Sequence, residues 1–144
     1  MLNKTHKSHR DRRTALQAED RLAIGEVLSL HGHVFDAGEL DRLDEIFTAE
    51  IVYDMSAVGI GVFEGIETVR SAAASMGDSG PLAHHVTNLL ISSDENDVVT
   101  AQSKGLMLMA DGALESVTHL DTLRRHDGGW RISDRIITPV RAKH

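Results

Sequence analysis

The N-terminal part of the chain has the apolar spacing of helices. Between residues 14 and 37, apolar side chains recur three and four positions apart, as on one face of a helix. These positions are Leu16, Ile24, Val27, Leu28, His31, Val34 and Phe35. The pair Ala37-Gly38 predicts the end of this helix, since glycine commonly follows a helix C-terminus. Two further helices are predicted, over residues 40–47 and 66–76.

The remainder of the chain has the composition of strands. A short strand is predicted over residues 51–55, and a glycine-rich, hairpin-like excursion follows it. Four longer strands are predicted over residues 84–93, 97–109, 114–125 and 130–139. Short polar turns separate them, which favours an antiparallel meander. Because the helices mostly precede the strands, we predict an α+β fold with the helices packed on one side of a curved sheet.

Length and composition predict one globular domain over residues 14–144, long enough to bury a substantial core. Residues 1–13 are basic and polar, and we predict a disordered arm there because they cannot bury enough apolar surface to offset ordering. A tail that binds a polyanion is the alternative interpretation of this segment.

Charge and cysteine content narrow the function classes. The formal net charge of −7 argues against nucleic acid or an anionic membrane as the main partner. The chain has no cysteine, which excludes disulfides, thiolate catalysis and cysteine-bound zinc. No long uncharged apolar run and no signal-peptide core are present, so a soluble cytoplasmic protein is expected.

Two adjacent histidines open the strand predicted after the third helix. Side chains alternate along a strand, so His84 and His85 point to opposite faces and only one of them faces the interior. Histidine is the side chain best suited to moving protons near neutral pH, provided that a carboxylate fixes its tautomer. Asp36, at the hinge between the first two helices, is the predicted carboxylate. The alternative is a hydrogen-bonded core histidine and a helix-capping aspartate.

Two other residues are candidates for the wall of a binding pocket. Tyr53, the only tyrosine, lies on the first predicted strand, where its hydroxyl could polarise a carbonyl or simply lie in the core. Met107 belongs to a strand face on which small residues give way to flexible thioethers. That face suits an apolar cavity or, equally, a subunit interface.

Three polar residues on the last two predicted strands are further candidates for substrate binding. His119 and Asp121 are two residues apart, hence on one face, and are expected to line the pocket. Arg135 would need a partner if it pointed into an apolar interior, where it would indicate an anion-binding role; a surface salt bridge is the alternative.

The sequence His31-Gly32-His33 raises the question of a metal. Residues two apart on a helix diverge, so these histidines make a poor chelate. We therefore predict no metal site.

Three segments in this order resemble a known family. They are residues 35–43, residues 84–88 and residues 127–132, which read FDAGELDRL, HHVTN and DGGWRI. Together they resemble the SnoaL-like enzyme branch of the nuclear transport factor 2-like superfamily, which includes polyketide cyclases, scytalone dehydratase and the lindane dehydrochlorinase. The resemblance covers about residues 18–140. It implies a cone-shaped α+β barrel, in which helices close one end of a curled sheet around a deep pocket.

The resemblance also implies residue roles. Asp36 and His84 match an aspartate–histidine pair of the dehydratase and dehydrochlorinase relatives, and Arg135 matches an arginine that stabilises a developing anion. The chain lacks the second catalytic histidine of scytalone dehydratase and the aspartate–arginine–aspartate set of the limonene epoxide hydrolases. A homo-oligomer, a dimer or trimer, is expected by resemblance.

These observations predict a cofactor-independent enzyme that uses an Asp-His dyad on a hydrophobic small molecule. A dehydratase or polyketide-cyclase-like lyase or isomerase fits the resemblance best. Two alternatives stay open, since a fold does not fix a function. One is a non-catalytic ligand-binding or scaffold domain, and the other is an epoxide hydrolase in which Asp121 holds the attacking water.

Overall fold

The computed structural model describes residues 16–141, so the predicted arm lies outside the described residues. Helix α1 spans Ala18–Ala37 and ends where the sequence predicts. At its start the Gln17 N–H donates to the Asp20 carboxylate at 2.7 Å. At its end Gly38 takes a left-handed conformation with φ 67°, which favours glycine. Within the described residues, no helix is both long enough and apolar enough to cross a membrane.

The second predicted helix is corrected by the structure. Leu40–Glu45 is a short 3₁₀ helix that buries Leu43, and Phe47 already belongs to strand β1, Phe47–Asp54. Phe47 pairs with Ile132, so sheet pairing outweighs the helical spacing at this end of the segment. The excursion after β1 contains the 3₁₀ turn Ser56–Val58 and the short strand β2, Val62–Glu64.

Helix α2 spans Ile66–Met76, which are its predicted bounds, and the 3₁₀ turn Gly77–Ser79 follows. The four predicted long strands are confirmed as β3 (Ala83–Ser93), β4 (Val99–Leu108), β5 (Leu114–His126) and β6 (Gly129–Pro139). They form the predicted antiparallel meander. The sheet order is β2-β1-β6-β5-β4-β3, and β1 runs parallel to β6.

A bulge bends β3 beside α1. The pairing of β3 with β4 shifts between Thr87 and Leu90, and Asn88 has φ 55°. Asparagine tolerates this left-handed conformation better than most residues. The bulge brings Leu89 against the helix, where a Cβ added at Gly25 would lie 3.6 Å from the Leu89 side chain. The bulge therefore helps the sheet to curve around α1.

The core lies between the helices and the concave face of the sheet, and residues of α1, β1 and β6 supply much of it. It includes Ile24, Leu28, Val34, Leu43, Phe47, Ile51, Trp130 and Ile132. This arrangement confirms the predicted α+β class. The opposite sheet face exposes apolar side chains, among them Leu106, Leu120 and Ile136. Such a face suits subunit association, and the expected homo-oligomer stays a prediction.

Candidate active site

A cavity of about 910 Å³ lies between α1, α2 and the curved sheet. Its wall is mainly apolar. The apolar part includes Phe35, Leu40, Met55, Val58, Phe63, Val69, Met107, Val117 and Ile137. A volume of this size accommodates a ring-containing small molecule. Met107 lies on the cavity wall, one of the two locations that the sequence leaves open, and is opposite His84 in the pairing of β4 with β3.

Asp36 and His84 meet at the wall of this cavity. His84 Nδ1 lies 2.5 Å from Asp36 Oδ1, and the His84 backbone N–H donates to both carboxylate oxygens at 3.1 and 3.0 Å. The side chains are only partly buried, at 21% exposure for His84 and 26% for Asp36. Because Nδ1 faces the carboxylate, the other ring nitrogen, Nε2, is the one that can contact a bound molecule.

Close packing of α1 on β3 makes this contact possible. A Cβ added at Gly32 would lie 3.0 Å from the His84 carbonyl oxygen, so glycine allows the helix backbone to approach the strand. Asp36 lies in the last turn of α1, where the helix dipole disfavours a negative charge. The donors of His84 compensate for that position and anchor the strand to the helix.

The structure also decides between the two adjacent histidines. His84 lines the cavity, whereas His85 is exposed and borders a smaller outer cleft of about 300 Å³ with His33. Asp36 and His84 line both spaces. The two side chains therefore lie between the apolar cavity and the outer cleft.

A second polar pair lies deeper in the cavity. His31 Nε2 lies 3.1 Å from the Tyr53 hydroxyl, and both side chains are buried. The His31 ring stacks on Phe35 at 4.3 Å between centroids. Burial lowers the pKa of His31 well below its usual value, helped by the nearby Arg135 charge, so the ring is neutral. Burial also raises the pKa of Tyr53.

The contact of His31 with Tyr53 does not follow from the sequence. The sequence places His31 on the apolar helix face and, beside His33, makes it a poor metal ligand. A polar side chain within that apolar face was the available signal, because it needs a buried partner. The partner lies on β1, and only the tertiary packing brings the two together.

His119 lies on the cavity wall, as predicted. Its Nδ1 is 3.4 Å from the Ser103 hydroxyl, and burial, with a smaller effect of the Arg135 charge, lowers its pKa to about 2. The ring packs over Gly105, where an added Cβ would lie 2.8 Å from His119 Cε1. Glycine at this position leaves the space that the imidazole occupies.

The positions of Asp121 and Arg135 differ from the expectation. Arg135 Nε and Nη2 donate to the two oxygens of Asp121 at 2.6 and 2.9 Å, and both side chains have zero exposure. Neither residue lines the cavity. Direct substrate binding, as predicted from the sequence, does not fit this location, because the pair is buried behind the wall. The Arg135 guanidinium carbon lies 5.8 Å from the centre of the Tyr53 ring.

This fold and cavity agree with a family match. The family model of the SnoaL-like domain matches residues 16–136. The chain belongs to the SnoaL-like family. The resemblance predicted from the three sequence segments is thereby confirmed.

Solved structures similar to this SnoaL-like domain share the α+β cone. One is a protein of unknown function from Mycobacterium tuberculosis, with 23% identity, a TM-score of 0.76, and coverage of 88% of this chain and 79% of that chain. Another is an NTF2-like protein with a cystatin-like fold from Novosphingobium aromaticivorans, with 21% identity, a TM-score of 0.71, and coverage of 87% of this chain and 84% of that chain. A third is a type 2 hexachlorocyclohexane dehydrochlorinase, with 22% identity, a TM-score of 0.67, and coverage of 88% of this chain and 92% of that chain. Identities this low show the fold alone. A search of curated proteins gave no match.

The donor groups of this SnoaL-like domain are arranged for hydrogen bonding. Among residues 16–141, no three histidine, aspartate or glutamate side chains lie together as a metal site would require. The cavity instead presents one imidazole with a carboxylate partner and two neutral imidazoles with hydroxyl partners. This arrangement can accept a proton at one point and donate hydrogen bonds at others.

Proposed function

We propose that this SnoaL-like domain is a cofactor-independent acid–base enzyme that moves a proton at a carbon atom of a hydrophobic small molecule. The contact between His84 and Asp36 at the wall of the apolar cavity carries the proposal. A histidine whose tautomer is held by a carboxylate is a competent general base.

The first step follows from the tautomer. With its Nδ1 proton directed to Asp36, His84 takes a proton on Nε2 from a carbon beside a carbonyl group. The electron pair of the C–H bond moves to the carbonyl oxygen, which becomes an enolate. The Asp36 carboxylate stabilises the imidazolium that forms. The enolate then re-forms its carbonyl, its electron pair makes a carbon–carbon double bond, and the C–O bond to a hydroxyl group on the next carbon breaks. His84 gives its proton to that hydroxyl group, which leaves as water.

The developing charge on the oxygen needs hydrogen-bond donors. Tyr53 and His119 lie on the cavity wall and are the proposed partners of that oxygen. Arg135 lies behind the wall, where it is bonded to Asp121 and does not touch the substrate.

Several reactions share this first step. Elimination of water, ring closure and double-bond isomerisation all begin with removal of an acidic proton from carbon. The proposal is therefore a dehydratase- or cyclase-type lyase or isomerase. The epoxide hydrolase alternative required Asp121 to hold a water in the pocket. It is not proposed, because both oxygens of Asp121 accept from Arg135 away from the cavity.

Deuterium exchange tests the shared first step. A panel of hydrophobic hydroxy-ketones is incubated with the protein in D₂O, and label at the carbon beside the carbonyl is followed by NMR. The wild type should exchange roughly 10²–10⁴ times faster than His84→Ala, the usual contribution of a general base. His85→Ala is the matched control, since this neighbour is exposed, and should keep the wild-type rate. Equal exchange by wild type and His84→Ala would contradict the proposal and favour a non-catalytic binding domain.

A further inference from the structure

We infer that His31 is a positioning residue: its Nε2–H donates to the Tyr53 oxygen, which leaves the Tyr53 O–H to donate to an uncharged oxygen of the substrate. The inference rests on the proposed function, and it assigns a role to a residue that the proposed step does not use. The ligand it specifies is a ketone or another neutral oxygen compound, and not a carboxylate or phosphate.

The geometry holds the imidazole in one place. His31 is 3% exposed and its Nε2 is 3.1 Å from the Tyr53 hydroxyl. Phe35 stacks on one side of the ring and Phe47 meets it edge-on, with centroids 4.3 and 5.8 Å away. Because packing holds the ring in one orientation, the direction of its hydrogen bond is also fixed. This is what a residue that positions another side chain must provide.

Hydrogen-bond satisfaction selects the tautomer. A neutral imidazole carries one proton, on either Nδ1 or Nε2. Among the described residues, His31 Nδ1 has no hydrogen-bond partner, whereas Nε2 faces the Tyr53 hydroxyl. A proton on Nε2 forms the bond to the Tyr53 oxygen, whereas a proton on Nδ1 would have no acceptor among the described residues. The proton therefore resides on Nε2, and the Tyr53 hydroxyl is free to donate toward the cavity, whose wall it helps to form.

The charges on the wall determine the class of ligand. Within residues 16–141, no lysine or arginine lines the cavity, but Asp36, Asp78 and Glu115 do. The nearby guanidinium of Arg135 is paired with Asp121 in a buried, bidentate contact. An anionic group would meet carboxylates without a facing cation, so a neutral oxygen is favoured.

The same ring connects this oxygen site to the proposed base. The His31 ring centre lies 6.2 Å from that of Tyr53 and 6.1 Å from that of His84. One ring-containing molecule can therefore present a carbon acid to His84 and an oxygen to Tyr53.

The first experiment measures the tautomer in the wild-type protein. Long-range ¹H–¹⁵N correlation spectra distinguish a protonated from an unprotonated ring nitrogen, and the His31 signals are assigned by their loss in His31→Gln. We expect Nε2 protonated and Nδ1 unprotonated. The opposite tautomer would overturn the inference, since Tyr53 would then donate to His31 instead of the ligand.

The second experiment measures ligand binding without turnover. The probes are ¹³C-carbonyl 2-tetralone, the hydrocarbon tetralin and tetralin-2-carboxylate. The wild type should bind the ketone most tightly and shift its carbonyl stretch to lower frequency. Tyr53→Phe and His31→Phe should each weaken ketone binding roughly 2- to 12-fold, the value of one net hydrogen bond, and remove the shift. Tetralin binding should not change.

The controls separate positioning from packing. His31→Phe keeps the stacking ring but loses the N–H, and His31→Gln restores a donor and should retain most of the shift. Three results would each overturn the inference. They are equal weakening of ketone and tetralin binding in the variants, an unchanged carbonyl shift in His31→Phe, and tighter binding of the carboxylate than of the ketone by the wild type. His84→Ala separates the two proposals. It should lose deuterium exchange but keep the carbonyl shift, so failure of the catalytic proposal leaves this readout intact.

Discussion

Two of the acid–base pairs that join elements of this domain have sharply different surroundings. Asp36–His84 links α1 to β3 at the cavity wall, with side chains 26% and 21% exposed. Asp121–Arg135 links β5 to β6 with both side chains fully buried. The first pair contains an imidazole, whose ring nitrogens can each donate or accept a hydrogen bond, and the second a guanidinium, which only donates. We therefore propose that similar contacts serve chemistry in the first pair and structure in the second.

The same substitution in both pairs tests this difference, and Asp36→Asn should have the largest effect. The amide keeps the shape and can still accept from the His84 backbone N–H, but it loses the charge that stabilises the imidazolium. Deuterium exchange should fall by roughly 10²–10⁴-fold. The free energy of unfolding should change by about 1 kcal/mol or less, since the pair is partly exposed. An exchange rate within about threefold of wild type would contradict this role.

Asp121→Asn should show the reverse pattern and mainly destabilise the fold. It leaves the buried Arg135 charge without its partner, which costs about 3–5 kcal/mol of unfolding free energy in urea titration. The matched control is Arg125→Ala, which breaks the more exposed contact with Asp20 and should cost about 1 kcal/mol or less. The double variant Asp121→Leu/Arg135→Met should recover much of the loss, because it removes both charges. Similar stabilities for Asp121→Asn and Arg125→Ala would contradict the buried-pair interpretation.

Gly105→Ala tests how closely the His119 ring packs on the backbone of β4. The added Cβ would lie 2.8 Å from the His119 ring and 2.9 Å from the Val117 side chain, so one of them must move. We expect a loss of about 1–3 kcal/mol in unfolding free energy, typical of overpacking. Gly80→Ala is the control, since its nearest contact would be an ordinary 3.7 Å, and should change stability by about 0.5 kcal/mol or less. Equal melting temperatures of the two variants would count against close packing at His119.

The pH dependence of stability should report on the two buried histidines, His31 and His119. The pKa values of His31 and His119 are lowered, the latter to about 2, mainly by burial. Below about pH 6.5 the unfolded chain therefore binds a proton at each of these two imidazoles, whereas the folded protein leaves both neutral. Each histidine should lower the unfolding free energy by about 1.4 kcal/mol per pH unit between about pH 6.5 and 5, with no contribution above that window. Urea titrations of wild type and His119→Gln measure this slope, and the variant should lose about half of it. An unchanged slope would contradict a neutral, buried His119.

Much of the fold followed from local patterns. Helix α2 and the four-strand meander were predicted almost to the residue, because alternation and turn residues act over short distances. The exception was the segment after Gly38, where Phe47 joins the sheet. The parallel pairing of β1 with β6 was also not predicted, because it joins strands far apart in the sequence.

The sequence by itself determined the fold class, the family resemblance and the pairing of Asp36 with His84 as a hypothesis. Only the tertiary structure decided that His84 faces the cavity, that Tyr53 contacts His31, and that Arg135 contacts Asp121 behind the wall. The physical reason is the range of the interactions involved. Side-chain alternation and helix spacing are encoded by near neighbours, whereas burial and charge pairing depend on which distant strands and helices come into contact.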